Sequence, residues 1–182
     1  MQQLLKWTLD TIREEESCFS WMEEYRYEWA PLVKGAVSQS VEGKTALVLT
    51  DQPRQWFEKY ILNTVNDLAK NRPLLPFYKI IECFPNLSAL HSIQDLELFE
   101  DMLDISYPNG YYFWYIGKGD HPYTKLVYRQ DNSFLWILDE EVQDSFSLRS
   151  SDALLDIKLL QLYKLFDQTL SAALFGELEL SL

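Results

Sequence analysis

The sequence predicts an α/β fold, a doubly wound three-layer sandwich built on a mostly parallel sheet of about five strands. Short segments that are apolar at nearly every position, such as Thr45–Thr50, alternate with longer segments whose apolar residues recur at helical spacing. Strands that are apolar throughout are buried on both faces. Their alternation with helices is typical of a parallel sheet covered on both sides.

The first 42 residues are predicted to be helical. Leu5, Leu9 and Ile12 share one helical face, and Pro31 is expected to interrupt the pattern, which gives two or three helices before the sheet. A chain of 182 residues has the usual length of one domain. We therefore expect a single domain over residues 1–182, with the helical segment 1–42 packed on it.

The remaining elements follow from the same two patterns. After the first strand, Asp51 is expected to cap a helix that has Pro53 in its first turn. Further strands are predicted at residues 77–81, 111–116, 133–138 and 145–148, and further helices at 96–103, 123–129 and 151–175.

Composition and charge restrict the class of protein. The hydrophobic fraction of 47% excludes intrinsic disorder, and no apolar run approaches the length of a membrane span. A net charge of −12 without a basic stripe disfavours direct DNA binding. The N-terminus lacks the pattern of a signal peptide, so we expect a cytoplasmic protein. Cys18 and Cys83 are far apart in the sequence and are predicted to be core residues.

The turn after the first strand is unsuited to phosphate. Thr50-Asp51-Gln52-Pro53 contains no glycine, places a carboxylate where phosphate would bind and loses a backbone donor at Pro53. A degenerate sugar-phosphate sensor therefore stays only as an alternative.

A second alternative is a magnesium-dependent phosphohydrolase. It would use the acids at the predicted strand ends, which are Asp51, Glu82, Asp139, Glu140 and Glu141. Phosphoaspartate hydrolases require a second aspartate two positions after the first, and the loop that contains Asp51 has none there. His91 and His121 lie in predicted loops and neither accompanies a nucleophile motif, so both are expected to be solvated. We predict no enzyme activity, cofactor or metal site.

The last predicted helix carries more apolar surface than one neighbouring layer covers. Its densest arc is predicted to face the core and comprises Leu155, Leu159, Leu162, Tyr163, Phe166, Leu170 and Ala173. A second ridge, formed by Leu154, Leu165 and Ala172, is expected to contact a further helix or subunit.

Leu160, Leu174 and Phe175 fall among the polar residues of the same helix. Leu174 and Phe175 allow two interpretations. They can form a hydrophobic helix end that Gly176 closes in a left-handed conformation. Alternatively, they contact another protein chain, since grouped exposed apolar residues mark interfaces.

Several short segments of the sequence are distinctive when taken together. They are Gln55-Trp56-Phe57, Tyr60-Ile61-Leu62, Arg72-Pro73-Leu74-Leu75, Phe113-Trp114, Gly117-Lys118, Ser133-Phe134-Leu135-Trp136, and the stretch from Leu154 to Phe166. This set resembles the HobA family of bacterial DnaA-binding proteins. The N-terminal helices match more loosely, and residues 82–106 depart most from the family.

The resemblance implies a fold similar to that of sugar isomerase (SIS) domains and a homotetramer that binds the N-terminal domain of the replication initiator DnaA. Such an adaptor would promote assembly of the initiator at the replication origin. The related DnaA-binding family DiaA also ends its last helix in Leu-Phe, which makes Leu174 and Phe175 the candidate protein-binding residues.

Overall fold

A five-stranded parallel sheet forms the centre of the computed structural model, which describes residues 1–15 and 19–180. The strands are β1 (Thr45–Thr50), β2 (Phe77–Lys79), β3 (Tyr111–Lys118), β4 (Phe134–Leu138) and β5 (Ser145–Leu148). Their order is β2-β1-β3-β4-β5, and every neighbouring pair is parallel. The predicted doubly wound α/β fold is confirmed.

Helices cover both faces of this sheet. In chain order they are α1 (Gln2–Glu14), α2 (Met22–Val41), α3 (Gln55–Thr64), α4 (Ile80–Cys83), α5 (Ile93–Ser106), α6 (Thr124–Val127) and α7 (Leu155–Leu174). Short 3-10 segments lie at Gln52–Arg54, Leu68–Lys70 and Leu87–Ala89. None of the helices in the described ranges is long and apolar enough to cross a membrane.

The sheet separates two hydrophobic cores because successive strand side chains point to opposite faces. In β3, Trp114 belongs to the core beneath α1, α2, α3 and α7, whereas Phe113 and Tyr115 belong to the core beneath α4, α5 and α6. The strand β4 divides in the same way, with Trp136 on the first face and Ile137 on the second. This two-sided burial explains why the strands are apolar at every position.

The helix α2 continues through Pro31, so the predicted interruption at this proline was wrong. Pro31 removes one backbone donor, but fully buried side chains on both sides of it, Trp29 and Val33, hold the helix against the core. Tertiary packing therefore overrides the local signal.

Three strands differ in length from the prediction, and for β4 the only difference is that it begins at Phe134 instead of Ser133. β2 ends at Lys79 because the chain turns into α4 at Ile80, and β3 extends to Lys118 because its last residues pair with Ile137 and Leu138 of β4. The prediction for Cys83 was wrong: it is exposed at the end of α4. Cys18 lies outside the described residues.

Candidate functional site

The carboxyl ends of β1 and β3 mark the place where parallel α/β sheets usually bind ligands. β2 lies on one side of β1, and the chain then crosses to place β3 on the other side. The direction in which strands are added therefore reverses between β1 and β3. Thr50 at the end of β1 pairs with Ile116 of β3. A crevice at such a reversal is the default ligand site of these folds.

In this protein an internal ion pair fills that position. Asp51 and Arg54 contact each other, and both are buried, with exposed fractions of 3% and 7%. The Oδ2 of Asp51 also accepts a hydrogen bond from the backbone N–H of Lys118 at 2.9 Å. Asp51 is the N-cap residue of the 3-10 segment Gln52–Arg54 that leads into α3, with Pro53 in its first turn, so its predicted position is confirmed. Its side chain makes no capping hydrogen bond.

The neighbouring backbone of β3 is tightly packed against this ion pair. A Cβ atom added at Gly117 would lie 2.5 Å from the hydroxyl oxygen of Tyr115 and 2.9 Å from Cγ of Asp51. The Tyr115 hydroxyl donates to the carbonyl of Lys118 at 2.8 Å, which closes the edge of β3 over this point. The geometry therefore agrees with the expectation that this turn cannot hold phosphate.

The five acids proposed for a magnesium site do not converge on one metal-binding point, although Asp139, Glu140 and Glu141 border the same groove. Asp51 is committed to Arg54, and Asp139 accepts hydrogen bonds from Ser150 that lower the pKa of its carboxyl. Glu82 is exposed on α4. Within the described ranges, no group of three or more potential ligand side chains is arranged to hold a metal ion.

A second buried carboxyl belongs to a residue that the sequence did not single out. Glu58 on α3 is 1% exposed, and its Oε2 lies 2.9 Å from Nζ of Lys79. Burial raises the pKa of the Glu58 carboxyl. Its Oε1 has no hydrogen-bond partner among the described residues, which agrees with a cost for the charged form.

The two histidines differ in their surroundings. His91 is exposed, as expected. His121 is half-buried: its ring centroid is 4.5 Å from that of Tyr123, and Nδ1 accepts a hydrogen bond from the Tyr123 backbone at 3.3 Å. Burial lowers the pKa of His121. The expectation of a solvated residue was wrong for His121, which has no nucleophile as a hydrogen-bond partner in the described chain.

The final helix, α7, is surrounded by three others, which are α1, α2 and α3. The predicted core arc of α7 is buried except for Ala173, which is half-buried. In the second ridge, Leu165 and Ala172 are buried, but Leu154 precedes the helix and is 54% exposed. Because three helices cover α7, Leu160 and Leu174 also pack, partly buried, against the core, and their predicted place on the solvated face was wrong.

Leu174 and Phe175 therefore have different environments. Leu174 is the last residue of α7 and contacts the core, whereas Phe175 follows it and is 52% exposed. Gly176 adopts the left-handed conformation with φ of 75°, and the N–H of Leu178 donates to the carbonyl of Ala172 at 3.1 Å. The helix end is thus closed as the first interpretation predicts, and it leaves Phe175 exposed.

A buried arginine fastens the loop after α3 to this end of α7. The Arg72 side chain is 2% exposed and contacts Asp167 and Ser171 of α7. Its Nη2 lies 2.5 Å from Oδ1 of Asp167, and its Nη1 donates to Oγ of Ser171 at 2.8 Å. Lys70 reaches the other oxygen of Asp167 at 2.8 Å. In the sequence, Arg72 stands out only as part of one of the segments that resemble the HobA family, and no contact is predicted for this residue.

The fastened loop carries two further exposed leucines. Leu68 is 86% exposed and Leu74 is 75% exposed, on either side of Arg72. Phe175 lies one helical turn beyond Ser171, to which Arg72 is bonded. We call Leu68, Leu74 and Phe175 the terminal surface. It presents apolar side chains from a loop and a helix end that are fixed to each other.

Comparison with known proteins places the chain in a family. The model of the HobA family, described as a DNA replication regulator, matches residues 1–180. This protein belongs to the HobA family. The DNA replication regulator protein HobA of Helicobacter pylori is 33% identical over 187 residues, which cover 99% of this chain and 100% of the relative. The resemblance inferred from the sequence is confirmed.

Solved structures of HobA from H. pylori share the fold. A crystal structure of a HobA–DnaA (domain I–II) complex matches with a TM-score of 0.73 and 30% identity, and covers 96% of this chain and 97% of that chain. A crystal structure of HobA alone matches with a TM-score of 0.69, the same identity and the same coverage.

Proposed function

We propose that this protein binds the N-terminal domain of DnaA and regulates the initiation of chromosome replication as a non-enzymatic adaptor in the cytoplasm. The observation that carries the proposal is the match, over nearly the whole of both chains, to the HobA of a HobA–DnaA complex. The filled crevice between β1 and β3 supports the same conclusion, because it removes the usual ligand site of the fold.

The terminal surface is the docking position that we propose for DnaA. Aromatic side chains, Phe among them, are enriched at protein interfaces, and a few residues there carry most of the binding energy. Phe175 is such a side chain, and the Arg72 contacts to α7 hold its surroundings rigid before binding. Leu174, the residue before Phe175, packs against the core and so anchors this end of α7.

We also propose that the protein assembles as a homotetramer, as the family resemblance implies. One surface suited to self-association is a ridge on α5 formed by Leu98, Met102 and Ile105, spaced at i, i+4 and i+7. Their exposed fractions are 62%, 45% and 82%. Sedimentation of a Leu98→Glu, Ile105→Glu variant tests this: a mass below that of the wild type supports the ridge as an interface, and an unchanged mass refutes it.

Calorimetric titration of the DnaA N-terminal domain into the protein tests the adaptor function. A saturable heat supports the proposal, and its absence at micromolar concentrations refutes it. Titration of Mg²⁺ separates the phosphohydrolase alternative, which requires a binding heat that disappears in an Asp51→Asn variant. Because Asp51 is committed to Arg54, we expect no such heat.

A further inference from the structure

The outer edge of β5 is an unpaired strand edge. β5 pairs with β4 on one side only and is the last strand of the sheet. The N–H of Asp139 donates to the carbonyl of Leu148, so the backbone groups of Leu148 face β4. Because these groups alternate from residue to residue, those of Ser145 and Ser147 face away from the sheet. No described residue outside the sheet hydrogen-bonds with them.

Open grooves run along this edge between α2 and the loops that precede and follow β4. One lies beside Gly35, where an added Cβ atom would meet nothing within 4 Å, and it reaches Ser145. The second continues from Ser145 past Ser147 to Arg149 and is bordered by Tyr25, which is 42% exposed. Glu28 borders both grooves. An extended chain lying along β5 would therefore have open space beside α2.

The grooves are strongly acidic. Their borders carry six carboxylates, which are Glu28, Asp131, Asp139, Glu140, Glu141 and Asp144, against one cation, Arg149. Except for Asp139, which pairs with Lys118, these carboxylates form no ion pair with a described residue. A second copy of this chain would bring like charges to the same edge, which opposes pairing of β5 with its own copy.

We propose that the β5 edge binds a basic, extended segment of a partner protein as a sixth strand. The exposed N–H and C=O groups of Ser145 and Ser147 provide main-chain hydrogen bonds, and the surrounding carboxylates select Lys and Arg side chains. This surface lies on a different element from the terminal surface, so it adds a second binding site to the proposed function and does not depend on it.

The probe for this proposal is a fluorescein-labelled octapeptide of alternating Arg and Val, measured by anisotropy at low salt. A matched peptide methylated on its backbone nitrogens keeps the charge but cannot donate to a strand edge. We expect the methylated peptide to bind at least about tenfold more weakly. Equal binding of the two peptides, or no binding of the first, overturns the proposal.

Two variants test the position of the site. Ser147→Pro removes an outward N–H that the sheet does not use and should weaken binding about tenfold, whereas Ser147→Val keeps the N–H and should bind as the wild type does. The methylated peptide tests the same bond without altering the protein. Unchanged peptide binding by a folded Ser147→Pro variant contradicts the proposal. A Ser147→Pro variant with a lower oligomeric mass than the wild type also contradicts it, because a second copy of the chain would then be the occupant of the edge.

The charge requirement has its own matched pair. A triple variant with Glu28→Gln, Glu141→Gln and Asp144→Asn should bind the peptide more weakly, because all three residues border the grooves. Neutralising Glu97, Asp101 and Asp104 on α5 removes the same net charge elsewhere and should leave binding nearly unchanged. Equal losses from the two triple variants would mean that net charge alone attracts the peptide, which overturns the site.

Discussion

Arg72 and Asp167 join the loop after α3 to the final helix through a contact of 2.5 Å between Nη2 and Oδ1. The Arg72 side chain is 2% exposed, and its other hydrogen bonds reach the carbonyls of Val65 and Asp167 and the hydroxyl of Ser171. A planar guanidinium is required to reach these partners at once. The same contacts fix the loop that carries Leu68 and Leu74 to the helix that ends at Phe175.

Substituting Arg72→Lys should therefore lower the free energy of unfolding by about 2 to 3 kcal/mol, because several buried acceptors lose their donor. Urea denaturation measures the loss, and amide hydrogen exchange should become faster in residues 66–75. Lys70→Met is the matched control, since Lys70 contacts the same carboxylate from a more exposed position and should contribute within about 1 kcal/mol. Equal losses for the two variants would contradict the assigned role of Arg72.

The buried pair of Asp51 and Arg54 gives a second prediction. Arg54→Met leaves the Asp51 carboxylate buried without its cation, which should cost about 3 kcal/mol or more in the free energy of unfolding. The exposed pair of Arg13 and Glu23 supplies the control, because Arg13→Met should cost less than about 1 kcal/mol. Denaturant unfolding of both variants checks this, and a small effect of Arg54→Met would show that the crevice is not closed by this ion pair.

The Glu58 carboxyl predicts a pH dependence of stability. Burial raises its pKa in the folded protein above the ordinary value of 4.5, so the folded state holds the proton more tightly than the unfolded state. The resulting stabilisation is present below the unfolded pKa and is lost as the pH rises through the folded pKa. Glu58→Gln should remove this dependence, and its stability relative to the wild type should rise with pH across that interval.

Denaturation curves of the wild type and of Glu58→Gln at several pH values above 4.5 measure the difference. Glu97→Gln on the exposed side of α5 is the control for general loss of one acid and should follow the wild type. A Glu58→Gln curve parallel to the wild type at every pH would contradict the raised pKa.

Leu174 and Phe175 should respond differently to truncation. Phe175→Ala should weaken DnaA binding by about 2 kcal/mol, or about thirtyfold, with little effect on unfolding, because its side chain is half exposed. Leu174→Ala should instead lower the stability by about 1 to 2 kcal/mol, because it packs against the core.

Ile157→Ala is the matched control for this pair of variants. Ile157 lies on the same helix and is 50% exposed, but it is near the other end of α7. Its truncation should affect neither DnaA affinity nor stability by more than about 1 kcal/mol. If Ile157→Ala and Phe175→Ala weaken binding equally, the terminal surface is not the docking position.

The strands of the sheet could be predicted from the sequence more accurately than the helices and contacts around them. Runs such as Thr45–Thr50 and Ser145–Leu148 were predicted at their observed bounds, because burial on both faces or clear turn signals leave a strong local pattern. Pro31 misled the prediction because the effect of a proline depends on the packing of its neighbours, which one sequence does not display.

The candidate site shows the same limit. Phe175 was correctly placed on the surface, but Leu174 was not, because the number of helices around α7 is a property of the tertiary fold. The partner of Asp51 was missed for a similar reason: a carboxylate after a strand is more often a helix cap than half of a buried ion pair. Arg72 reaches residues 95 positions away, and no local spacing predicts that contact.

Light scattering coupled to size-exclusion chromatography tests the central claim most directly. The protein is mixed at micromolar concentration with the N-terminal domain of DnaA, and the mass of each eluting species is measured. We predict one species that contains both proteins and is heavier than the adaptor alone, and a loss of that species with Phe175→Ala. Two separate peaks with the masses of the free proteins would contradict DnaA binding.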